Sequence, residues 1–106
     1  MPTYKVLAQS APTAATATTL LTAGSATIVS TLNASNIGGA QDTIRVAVRP
    51  AGATLANQHY IAYGVPLAAG AVFSIQGGIT LANTDVITVY STTGTTSFSA
   101  FGSDGN

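Results

Sequence analysis

The sequence predicts an all-β fold: a single antiparallel β-sandwich, jelly-roll-like, of about eight short strands. Three observations lead there. Segments rich in Val, Ile, Thr, Tyr and Phe recur at spacings of roughly 8–12 residues. Clusters of Gly, Pro, Asn and Ser separate them. No stretch with helical periodicity intervenes. The length of 106 residues suits one domain, read as residues 1–106 with an N-terminal arm over about residues 1–18.

Tyr4–Ala8 is the first expected strand. Ser10–Thr18 is rich in Ala and Thr with one Pro. Ala favours helix, but Thr is stiff at its first side-chain torsion, so the stretch is read as an extended arm or loop. Leu20-Leu21 leads into a turn at Ala23-Gly24. Ala26–Asn33 is expected as a strand, with Thr27, Val29 and Thr31 on one face and Ile28, Ser30 and Leu32 on the other. Gly38-Gly39 marks the next turn. Thr43–Arg49 is the most regular strand: Ile44, Val46 and Val48 alternate with Arg45, Ala47 and Arg49. Pro50, which has no N–H to donate, ends it.

Ala51–Gln58 reads as a loop because Gly52 interrupts it. His59–Val65 is a strand, with Tyr60 and Tyr63 expected on opposite faces. Val72–Gln76 follows, then Gly77-Gly78 and a short strand at Ile79–Leu81. Ala82–Asp85 carries turn residues. Val86–Ser91 and Ser97–Phe101 flank the loop Thr92–Thr95 and are expected to pair as a hairpin.

Only six residues carry a formal charge: Lys5, Asp42, Arg45, Arg49, Asp85 and Asp104, with a net charge of zero. Ordinary domains run at roughly 25% charged residues, and this chain is at 6%. Its surface is therefore either built from uncharged polar side chains or covered by other protein. Without clustered positive charge, nucleic acid is not an expected partner. No apolar run of about 18 residues suggests a membrane span, and no secretory leader is evident at Met1–Lys5. The absence of Cys excludes disulfides and thiolate metal sites.

Catalytic material is sparse. His59 could pair with Asp42 or Asp85 and a Ser, but no nucleophile elbow is present. The bland reading is a polar rim residue. The Asp residues lie far apart near turns, which favours turn stabilisation over paired-carboxylate chemistry. Asn83–Asp85 and Asp104–Asn106 offer oxygen ligands, yet neither spacing matches an established calcium loop. The double glycines open no phosphate loop. The four Tyr residues suit either sugar stacking or sandwich filling. No catalytic, cofactor or metal residue is assigned. Arg45 and Arg49 share one strand face, where they either meet solvent or contact acidic groups of their own chain or of a neighbouring subunit.

A succession of segments resembles a known family. It comprises Val6-Leu7-Ala8-Gln9-Ser10-Ala11-Pro12, Ile44 through Ala53, Gln58 through Leu67, Gly78-Ile79-Thr80-Leu81, Asp85 through Tyr90 and Ser97 through Gly102. Together they resemble small virion structural proteins of tailed bacteriophages, cyanophages among them. The resemblance covers nearly the whole chain in order, although no single piece is a chemical motif. It implies a capsid cement (decoration) protein that assembles with itself as a homotrimer. Such a protein would bind the major capsid protein on the outer capsid surface, having been made in the host cytoplasm. It implies no enzymatic activity and no cofactor. Arg45, Arg49, Tyr4 and Lys5 are the interface candidates, the last two within an arm expected to serve assembly. The alternative is a tail, baseplate or fibre-associated virion protein that binds a host glycan. A free carbohydrate-binding module and an enzyme are the remaining classes.

Overall fold

The computed structural model describes the backbone of residues 3–104 and the side chains of residues 5–76 and 78–103. Eight strands run in order: β1 (Thr3–Ser10), β2 (Thr18–Thr22), β3 (Thr27–Asn36), β4 (Asp42–Arg49), β5 (Tyr60–Leu67), β6 (Val72–Leu81), β7 (Val86–Ser91) and β8 (Thr96–Asp104). Single 3-10 turns at Pro50–Gly52 and Asn57–His59 interrupt the β4–β5 connection. No described helix is long and apolar enough to cross a membrane.

The pairing is nested. β4 pairs with β5, β3 with β6, β2 with β7 and β1 with β8, all antiparallel. The chain is thus one long hairpin folded over on itself. The extra ladders β3·β8 and β4·β7 close it into two four-stranded sheets, β1-β8-β3-β6 and β2-β7-β4-β5. This is the strand order of a jelly roll. The core between the sheets holds Leu20, Val29, Leu32, Ala34, Ile44, Val46, Ile87, Val89, Phe98 and Ala100.

Several local expectations are corrected. Val86–Ser91 and Ser97–Phe101 do not form a hairpin: β7 and β8 lie in different sheets, and the loop between them crosses the sandwich. Thr18–Thr22 is a strand rather than the end of an arm, and β1 pairs with the chain's own β8 from Thr3 to Ser10. Residues 11–17 form the loop between them. The two segments around Gly77-Gly78 are one strand, β6.

Bulges account for the misread faces. In β3 the register shifts between Val29 and Thr31 in both of its ladders. The inward series is therefore Thr27, Val29, Leu32, Ala34 and Asn36, all buried, and a strict period of two fails there. Gly102 makes this bulge possible. A Cβ placed on it would lie 2.0 Å from the Ile28 carbonyl oxygen, so β8 approaches β3 closely only because that atom is missing. In β5 the register shifts where Val46 and Ala47 face Ala62 and Tyr60. Tyr60 and Tyr63 consequently meet edge to face, with centroids 4.9 Å apart, instead of pointing to opposite sides.

Each end of the sandwich is tied by buried or bonded polar side chains. At one end, loops 11–17, 37–41, 68–71 and 92–95 gather around Asn36 and Asp42. Asn36 is fully buried. Its Nδ2 donates to the carbonyls of Ala40 (2.7 Å) and Leu67 (2.9 Å), and its Oδ1 accepts from Gly38 N–H and the Thr95 hydroxyl, each 3.0 Å. At the other end, Asp85 accepts from the backbone N–H groups of Ala51 and Ala82, both at 2.9 Å.

Candidate functional site

Strand β4 lies inside its sheet, with β5 on one side and β7 on the other. The register sets Arg45 directly opposite Tyr63 on β5 and Tyr90 on β7. All three side chains share the outer face, so they form a row across the sheet. The Arg45 Cζ lies 4.4 Å from the Tyr63 ring centroid and 4.3 Å from that of Tyr90. Both are cation–π distances. The guanidinium is therefore walled on two sides by aromatic rings. Its Nε is buried and makes no hydrogen bond. Its terminal nitrogens donate to no described residue and remain open at the surface.

The neighbouring features extend this site. Tyr60 abuts Tyr63, and an open hollow of about 510 Å³ is lined by Asn57, Tyr60 and Tyr63. Tyr63 is 62% exposed and Ile61, one of two bulged residues in β5, is 47% exposed. Arg49 has a different environment. Its Nε donates to the Thr88 hydroxyl (3.0 Å) and its Nη1 to the Ala53 carbonyl (3.1 Å). It pins the 50–59 segment over the outer face, where Ala47 and Thr88 are buried. Neither arginine meets a carboxylate among the described residues, so the expectation of acidic partners within the chain fails. Cross-strand tyrosines, the Thr88 hydroxyl and the Ala53 carbonyl take that place.

The other two interface candidates lie on β1, in the opposite sheet. Lys5 is exposed and stands opposite Gly102 in the register. Tyr4 stands opposite Ser103, and its side chain lies outside the described residues. The four candidates therefore form two separate regions.

The opposite sheet, β1-β8-β3-β6, carries Lys5 as the one charged side chain among its described positions. One row runs Gln9, Ser99, Asn33 and Ser74, and the next runs Val6, Phe101, Thr31 and Gln76. Within the first row, the Ser74 hydroxyl donates to Asn33 Oδ1 at 2.6 Å. Val6, Ile28 and Val72 are about half exposed on the same face.

The groups considered for catalysis are engaged elsewhere. His59 is buried rather than a rim residue, and its Nδ1 accepts the Ala56 N–H at 3.0 Å, closing the 3-10 turn. Asp42 is 1% exposed. It accepts from the hydroxyls of Ser91 and Thr96 and from the N–H groups of Thr43 (2.7 Å) and Thr93 (3.0 Å). Burial alone would raise its pKa, but these four donors outweigh burial and hold the carboxyl below its ordinary range. The backbone donors of Ala51 and Ala82 lower Asp85 in the same direction. Neither carboxylate bonds to His59. No group of three His, Asp or Glu side chains occurs among the described residues. Of the two oxygen clusters considered for calcium, Asn83–Asp85 is a turn fastened by Asp85. Asp104–Asn106 lies beyond the described side chains.

Sequence reasoning placed Arg45 and Arg49 correctly on one face but missed the tyrosine walls. Tyr90 follows from pairing β7 with β4, which the hairpin expectation obscured. Tyr63 follows from two bulges in β5, at Ile61 and at Gly64, of which only the glycine at positive φ leaves a trace in the sequence. Comparison with family models, curated proteins and solved structures yields no match to this chain.

Proposed function

We propose that this chain is a non-enzymatic virion structural protein, a capsid cement protein of a tailed phage. It assembles as a homotrimer and binds the major capsid protein on the outer surface of the head. The observation that supports this reading is the charge-poor outer face of the β1-β8-β3-β6 sheet, where Lys5 is the one charged side chain among the described positions. Covering a charge with protein costs several kcal/mol unless it is paired. A face of hydroxyls, amides and scattered aliphatic groups can be covered without that cost. The family resemblance of the sequence supports the same role. The decisive experiment is a reconstruction of the particle with stoichiometry of this chain. Copies in a fixed ratio to the shell subunits support the reading, and restriction to the tail refutes it.

The hollow beside Asn57, Tyr60 and Tyr63 favours a second reading, a tail, baseplate or fibre-associated protein that binds a host glycan. Aromatic rings beside an amide suit a sugar. Glycan-array binding by the isolated chain, lost in Tyr63→Ala, would support it.

A further inference from the structure

We propose that the outer face around Arg45 docks a partner protein through an Asp or Glu side chain. The partner carboxylate accepts two parallel hydrogen bonds from Nη1 and Nη2 of Arg45, at the mouth of the slot between Tyr63 and Tyr90. This goes beyond the virion reading and does not depend on it.

A ring lies against the guanidinium on each side, from β5 and from β7, and its N–H donors lie in its own plane. Its Nε is already enclosed without a partner. The open positions are the two terminal nitrogens, which form a fork that matches a carboxylate in shape and charge. The rings also restrict the side chain, so little rotamer freedom remains to be lost on binding. Around the fork lie exposed Ile61 and Tyr63. A tyrosine and arginine cluster with an aliphatic neighbour has the composition of a protein interface centre. Within the chain, the two described carboxylates already serve its own turns. Asp42 accepts four hydrogen bonds and Asp85 has both oxygens bonded to backbone N–H groups. The occupant proposed is a different protein with an exposed acidic side chain, complementary in charge to Arg45, and the self-association readout separates it from a second copy.

The test uses the full 15N-labelled chain at pH 7. With two arginines in the sequence, the side-chain Nε–Hε region holds two signals, assigned with Arg45→Lys and Arg49→Lys. The probe is glutamate blocked as its N-acetyl N-methylamide, with sodium chloride and glucuronate added at matched ionic strength. The expected result is a saturable shift of the Arg45 signal with blocked glutamate, none with chloride and none at Arg49. Tyr63→Ala, at an exposed position, should weaken the midpoint about fivefold through loss of one ring contact. No shift, or an equal shift with chloride, overturns the proposal. Tighter binding of glucuronate than of blocked glutamate overturns the protein partner in favour of an acidic sugar. Loss of self-association in Arg45→Lys, read by light scattering, overturns it in favour of a second copy.

Discussion

Asp42 shows how a residue with no ionic partner can govern stability. Its four donors hold the folded carboxyl below the ordinary value of 3.8. Below that ordinary value the unfolded chain binds more protons than the folded one. The contribution of Asp42 is therefore complete above it and is lost as the pH falls through the lower folded value. Urea midpoints should be flat near neutrality and decline below about pH 4, less steeply in Asp42→Asn. That substitution should also lower stability at pH 7 by on the order of 2 kcal/mol, since it removes charge-assisted hydrogen bonds. Gly102 is the second sensitive residue. With a Cβ 2.0 Å from the Ile28 carbonyl oxygen, Gly102→Ala forces β3 and β8 apart and should cost roughly 3 kcal/mol in chemical denaturation. Ala15, Ala51 and Thr84 have positive φ without being glycine. Each donates its N–H across a loop, to Ser91 O, Asp85 Oδ1 and Ala23 O respectively, which holds the unfavourable backbone in place.

At the scale of elements, β1 has a clear energetic role. It covers one edge of β8 over most of its length, so removing residues 1–10 bares a ladder that β3 satisfies on only one side. The expected outcome is a lower melting temperature and concentration-dependent aggregation, measured by scanning calorimetry and light scattering. A truncation that leaves the monomer intact would show that β1 is dispensable for folding. Where alternation is uninterrupted, the sequence was readable: Ile44 and Val46 point inward and β7 has the expected bounds. It was unreadable at β2, where Thr18–Thr22 lies beside an Ala- and Thr-rich loop of similar composition. It also failed at Ser30 and Ile61, because a bulge depends on the partner strand rather than on local residue type. Pro66 within β5 is tolerated because β5 is an edge strand.

For the whole molecule, six charges over 106 residues leave little for salt to screen. Raising sodium chloride from about 0.02 M to about 0.3 M should change unfolding free energy by less than about 0.5 kcal/mol, measured by urea titration. A larger salt effect would point to an ionic network, which the hydroxyl, amide and ring contacts do not supply. The fold is legible in the sequence at this scale because eight short apolar segments and their breakers suffice to indicate a sandwich. The site was less legible because cross-sheet neighbours such as Tyr63 and Tyr90 are separated by 27 positions of sequence, the difference between residue numbers 90 and 63. The nested pairing also makes the chain suitable for rewiring. Thr3 stands opposite Asp104, and the 50–59 segment lies at the same end of the sandwich, next to Val86 and Asp85. A circular permutant that joins the two ends with a short linker and opens between Ala53 and Asn57 would keep every strand pair. A passenger domain fused beside Thr3 or Asp104 would sit at one corner of the β1-β8-β3-β6 sheet, whereas the slot that holds Arg45 is on the other sheet.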